Sequence, residues 1–168
     1  SDFTADVWIN IIKSNPGATI CVASGDSPKL ACELFCEKVR EQNIDVSKFF
    51  FVGLDEWVGL SPDTFGSCYN DFQKRLIQPL GLSTSQYHLF DALATDLQTE
   101  CSKMNEVIKK RGGIDLMIVG IGMNGHIGFN EPGVDFDLLS HVIELDGTTL
   151  SVGQKYFKEK VVLQKGIT

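Results

Sequence analysis

The 168-residue chain is short of several things, and each shortage narrows what it does. Its five cysteines, at positions 21, 32, 36, 68 and 101, are odd in number, and no two have the spacing of a zinc knuckle or a redox motif. They are expected as small buried hydrophobes in a reducing cytosol. There are three histidines, at 88, 126 and 141, without mutual spacing that suggests a metal site, so no metal is expected. Positive charge is also scarce: 15 Lys and Arg against 22 Asp and Glu give a formal charge of -7. That argues against nucleic acid or an anionic membrane as a main partner. A small anion stays open, because backbone amides and one or two cations act locally. The apolar runs are far short of a membrane span. The opening SDFTADVWINIIKSN has neither the basic start nor the unbroken apolar stretch of a signal peptide. The expectation is a cytoplasmic protein.

What is present is ordinary in bulk and particular in arrangement. Hydrophobic residues make up 43% and charged residues 22%, enough for one domain with a core, expected across residues 1–168. Helical and strand patterns alternate. ADVWINIIK reads as an amphipathic helix, ATICVA (18–23) as a buried strand and KLACELFCEKVREQ as a helix. KFFFVGL (48–54) is a second strand. Helices follow near SCYNDFQKRLIQPL and TDLQTECSKMNEVIKKR, with a short strand near YHLF between them. IDLMIVG is the third strong strand, and SHVIEL (140–145) a weaker one. Near-continuous apolar strands alternating with helices predict an α/β fold, a parallel Rossmann-like sheet with helices on both faces. VVLQKGIT starts like another strand and stops at Thr168, so the sheet is expected to be truncated at the C-terminus with an open strand edge.

In such folds ligands bind beyond the carboxyl ends of the strands. That rule selects SGDSP (24–28), DEWVGL (55–60) and GMNGHIGFNEPG (122–133), which are also the stretches richest in polar chemistry. In SGDSP, Ser24, Gly25, Asp26 and Ser27 with the amides of a helix start suit a phosphate, and Pro28 suits the first helical turn. An ordinary N-cap by Asp26 or Ser27 explains the same residues, and the Asp26 charge counts against phosphate unless its side chain points away. Asp55 and Glu56 follow a strand directly, so one faces the cleft while the other pairs elsewhere. A carboxylate at a cleft mouth can serve as a base, and an ordinary surface carboxylate explains the same residues equally well. His126 with Glu131 nearby reads as a proton-transfer pair, since a carboxylate sets a histidine's tautomer, and the plainer alternative is a histidine that caps a turn. Gly122, Gly125 and Gly128 let backbone approach a ligand.

LDEWVGL (54–60) together with GIGMNGHIGFNEPG (120–133) closely resembles the glucosamine-6-phosphate deaminase (isomerase) family, including its galactosamine-6-phosphate branch. The resemblance implies aldose–ketose isomerisation with loss of ammonia from an amino-sugar phosphate substrate, and no cofactor. By position it makes Asp55 the base between C2 and C1, His126 the ring-opening group and Glu131 its tuning partner. Asn124 stands where many members have Asp. Ser24, Gly25, Asp26 and Ser27 fall on the phosphate turn, Gly125 on the substrate loop, and Lys155 near a substrate-contacting arginine. Val134, His141, Ile143 and Glu144 lack the groups that bind an allosteric sugar phosphate in some bacterial members, so that regulation is expected to be absent. A phosphate-gripping lysine falls past Thr168, and a chain ending there is expected to bind sugar phosphate weakly. A homo-oligomer is compatible with the resemblance. Lactonases and sugar-phosphate sensor domains share the fold and remain alternatives.

Overall fold

A computed structural model describes residues 1–168. Four short strands form a parallel sheet: β1 (Thr19–Val22), β2 (Phe50–Gly53), β4 (Tyr87–His88) and β5 (Leu116–Ile118), in the order β4-β2-β1-β5. Alternate residues of β1 and β2 face opposite sides. Ile20, Val22 and Phe51 join a core beneath α1 (Asp2–Ser14) and α2 (Asp26–Glu41). Cys21 and Val52 meet Cys101 and Met104 of α5 (Leu97–Arg111) on the other face. Helix α1 buries Ala5, Trp8, Ile9 and Ile12, the spacing of one helical face. Its Trp8 stacks on Phe35 of α2 with ring centroids 3.9 Å apart. Gly112, at φ +87°, ends α5 in the left-handed turn that glycine tolerates best. All five cysteines are buried and unpaired.

The segment SCYNDFQKRLIQPL forms one helical stretch with a change of pitch. It runs as α3 (Cys68–Phe72), a π-helical turn over Gln73–Ile77 and α4 (Gln78–Leu80).

The structure departs from the sequence expectation at the margins. DEWVGL is not all loop: Glu56–Trp57 forms β3, which pairs antiparallel with β7 (Lys165–Ile167). SHVIEL contributes β6 (Val142–Glu144), which pairs with the other side of β7. The end of VVLQKGIT therefore does not extend the parallel sheet or leave an open edge. It is the middle strand of a separate antiparallel sheet ordered β3-β7-β6. Strand β5 also differs from expectation. It is an edge strand, and Met117 is 46% exposed, so helices cover both faces of β1 and β2 but not all of β5.

Small residues let aromatic rings pack tightly against the second sheet. Gly166 lies against Phe129, where a Cβ would come within 2.4 Å of the ring, and Gly153 lies against Trp57. Trp57 and Phe129 meet edge to face at 4.6 Å. The aromatic ring within GHIGFNEPG is thus a buried anchor, and it pins the polar residues on either side of it.

Candidate active site

The carboxyl ends of β1, β2 and β5 open on a cavity of about 460 Å³. Ser24, Gly25, Asp26, Ser27, Asp55, His126 and Lys155 line it, so three separate loops converge as the switch-point rule requires. Asn124, Gly125 and Glu131 do not line the cavity. Gly125 sits in a tight turn at φ +89° with its N–H on the Gly122 carbonyl. It shapes the loop from behind the cavity lining, one residue before His126.

Asp55 and Glu56 divide as strand geometry requires. Asp55 reaches the cavity and is 9% exposed. Burial, and next to it the charge of Glu56, pushes its pKa up to about 7. Glu56 turns the other way and accepts N–H bonds from Trp57 (2.8 Å), Cys68 (2.9 Å) and Tyr69 (2.7 Å). Two of those donors open α3, so a buried carboxylate satisfies orphan amides at a helix start.

His126 sits opposite on its glycine-rich loop. The Gly122 N–H donates to its carbonyl, and a Cβ at Gly122 would strike the imidazole at 2.3 Å. Its Nδ1 is 2.7 Å from Asn124 Oδ1, 3.1 Å from Thr149 Oγ1 and 3.7 Å from Glu131 Oε2. Glu131 therefore reaches the ring mainly through Asn124, whose Nδ2 donates to Glu131 Oε2 at 2.7 Å. An ionised carboxylate only accepts, which turns the amide so that its oxygen faces the histidine. That oxygen accepts a hydrogen bond from Nδ1–H, the tautomer that leaves the Nε2 lone pair free. The other oxygen, Glu131 Oε1, accepts from Asp146 N and anchors the start of α6 (Gly147–Gly153), which carries Thr149.

The turn after β1 differs in detail from an N-cap. Helix α2 begins at Asp26 with Gly25 as its cap residue at φ +97°, and no side chain caps its first turn. The Asp26 carboxylate is neutralised by Lys155 Nζ at 2.9 Å, a contact that holds its pKa below the usual range. First-turn amides are thereby left to the cavity, as an anion needs. The Gly25 N–H is already taken by Asp71 at 3.3 Å, and Arg75 binds both Asp71 and the Gly25 carbonyl. Sequence reasoning missed Cys68, Asp71, Arg75 and Thr149. The Asp71–Arg75 pair shows a helical four-residue spacing, a legible signal, whereas Cys68 and Thr149 reach the site only through the fold.

A parallel α/β sheet thus brings a buried carboxylate, a histidine–amide–carboxylate relay and an uncapped helix start to one cavity, the groups that proton transfer on an anionic ligand needs. The model of the glucosamine-6-phosphate isomerase/6-phosphogluconolactonase family matches residues 2–128, and the chain belongs to that family. It is 38% identical over 149 residues to the putative deaminase AgaI of Escherichia coli K12, covering 89% of this chain and 59% of that protein. Identity to the glucosamine-6-phosphate deaminase of Thermoanaerobacter sp. X514 is 36%, over 98% of this chain and 65% of the relative. The solved structure of a monomeric glucosamine-6-phosphate deaminase superposes with a TM-score of 0.94 at 30% identity, covering 99% of this chain and 70% of that one. A 6-phosphogluconolactonase from Thermotoga maritima, at TM-score 0.75 and 17% identity, shares the fold. The chain thus spans 59% to 65% of the length of these two curated relatives. No helix is long and apolar enough to cross a membrane.

Proposed function

We propose that this chain carries the proton-transfer part of an aldose–ketose isomerase that deaminates an amino-sugar 6-phosphate. The supporting observation is the pairing of Asp55 with His126 across one cavity. A buried carboxylate with its pKa near 7 is a stronger base than an exposed one, and the opposing imidazole presents Nε2. His126 assists opening of the pyranose ring. The free C1 aldehyde and C2 ammonium then acidify the C2 hydrogen, so a positioned carboxylate suffices. Asp55 takes that proton and returns it to C1. Hydrolysis of the resulting C2 imine releases ammonia and leaves a ketohexose 6-phosphate. The phosphate rests on the α2 start, with Ser24, Ser27 and Lys155 around it.

Two assays test the reading. Ammonia release from glucosamine 6-phosphate and galactosamine 6-phosphate is expected, with no hydrolysis of 6-phosphogluconolactone. Turnover in heavy water is expected to put deuterium at C1 of the ketose. Hydrolysis of the lactone alone supports the lactonase alternative, and binding without turnover supports a sensor.

The relay behind His126 makes a second expectation. Glu131→Ala frees the Asn124 amide to turn over and present its NH₂ to Nδ1. Turnover is expected to fall by about a hundredfold, the lower end of what a positioned acid–base group contributes. Nitrogen-15 shifts of the His126 ring are expected to show a smaller share of the Nδ1–H tautomer. An unchanged tautomer would mean that Asn124 does not depend on Glu131.

A further inference from the structure

The Asp55 carboxylate has one hydrogen-bond donor from the rest of the protein, and it is a thiol. Cys68 Sγ lies 3.6 Å from Asp55 Oδ1, and Ser24 Oγ lies 3.0 Å from the same sulfur. Both Asp55 and Cys68 are buried, yet Asp55 faces the cavity, so its other oxygen is free to meet a ligand. An ionised carboxylate only accepts, which directs the S–H proton to Asp55. The sulfur lone pair then receives the Ser24 hydroxyl proton. A chain of donors thus runs from the turn after β1, through the first residue of α3, to the end of β2.

The backbone enforces this contact. Glu56 accepts the N–H of Cys68 at 2.9 Å while standing next to Asp55 in sequence. Ser67 caps the same turn by accepting from Asn70 N. The base and the thiol are therefore anchored to each other twice, once through side chains and once through the neighbouring carboxylate.

We propose that Cys68 is a positioning residue that holds Asp55 by a deliberately weak hydrogen bond, leaving the carboxylate oriented and still basic. This inference rests on the deaminase reading for its purpose. An S–H is a poor donor, so it orients the carboxylate with little stabilisation of the anion. A hydroxyl in its place would stabilise the anion more and weaken the base. No donor at all would leave the carboxylate free to rotate and harder to ionise. The same contact appears among the influences on Asp55, where the Cys68 bond opposes the upward push of burial.

The test compares the unaltered chain with Cys68→Ser and Cys68→Ala. Carbon-13 titration of the Asp55 carboxyl reads the contact without any need for turnover. Its midpoint is expected to fall by about half a pH unit in Cys68→Ser and to rise by a similar amount in Cys68→Ala. The acid limb of kcat/KM with glucosamine or galactosamine 6-phosphate should move in the same two directions, and kcat should fall in both variants. Midpoints that stay together, or that move in one direction, overturn the proposal. If Cys68→Ala does not fold, the sign of the Cys68→Ser displacement decides alone. Opposite carboxyl displacements in a chain that turns over neither amino-sugar phosphate would retain the contact and remove the deaminase reading. Turnover with an acid limb indifferent to Cys68 would do the reverse.

Discussion

Asp55→Asn is expected to lower turnover of an amino-sugar phosphate by about two to four powers of ten and, above neutral pH, to make the fold more stable. Both effects have one cause. The carboxyl is buried beside Glu56, and its pKa is pushed up from 3.8 to about 7. Between those values the unfolded chain releases the proton while the folded chain keeps it. Folding then becomes harder as pH rises through that window, and the full penalty is present above about pH 7. An amide of the same shape carries no such penalty. The expected gain at pH 8 is on the order of a few kcal/mol, or roughly 5 °C or more in melting temperature. At pH 4 the gain should vanish. In the unaltered protein kcat/KM should decline below about pH 7, because the base acts as the carboxylate. Thermal melts of both proteins at pH 4 and pH 8, with a rate profile, check the set. Wild-type turnover by the Asn variant would remove Asp55 as the base. A stability gain equal at both pH values would mean that its burial is unrelated to charge.

Much of this was legible in the sequence, for identifiable reasons. Helices α1, α2 and α5 repeat apolar residues every three or four positions, and β1 and β2 are unbroken apolar runs, so local pattern and tertiary burial agree. The three site loops followed from the strand ends, and their convergence on one cavity follows from a parallel sheet. The small antiparallel sheet was not legible. Strand β3 is two residues long and its partner lies more than a hundred positions away, so no periodicity could announce it. The exposed Met117 escaped for a similar reason, since an apolar run reads alike on a central strand and at an edge. In the site, single residues were readable and relations were not. Asn124 looked like a lost charge, whereas it bridges His126 to Glu131 and orients both. Asp26 looked like an obstacle to an anion, and its carboxylate is instead neutralised by Lys155.

Glu56 is expected to behave in the opposite sense to its neighbour, because removing it should damage the fold. Its carboxylate is 3% exposed and accepts three backbone N–H bonds. Burial pushes its pKa up, while the donors from Tyr69, Cys68 and Trp57 pull it back. Glu56→Ala leaves three buried donors without an acceptor, at about 1 to 3 kcal/mol for each one that water fails to reach. A loss of about 3 to 5 kcal/mol is expected, read as a lower urea midpoint at unchanged slope. Glu56→Gln should lose less. Its oxygen can still receive Trp57 and Cys68, but its NH₂ would face the Tyr69 N–H donor to donor. The Gln variant also removes the charge that helps to raise the Asp55 pKa, so its acid limb should move to lower pH. The two carboxylates thus predict opposite signs at alkaline pH: Asp55→Asn stabilises and Glu56→Gln destabilises. A Glu56→Gln protein as stable as the unaltered chain would show that its three hydrogen bonds do not hold α3. An unmoved acid limb would show that Glu56 does not set the basicity of Asp55.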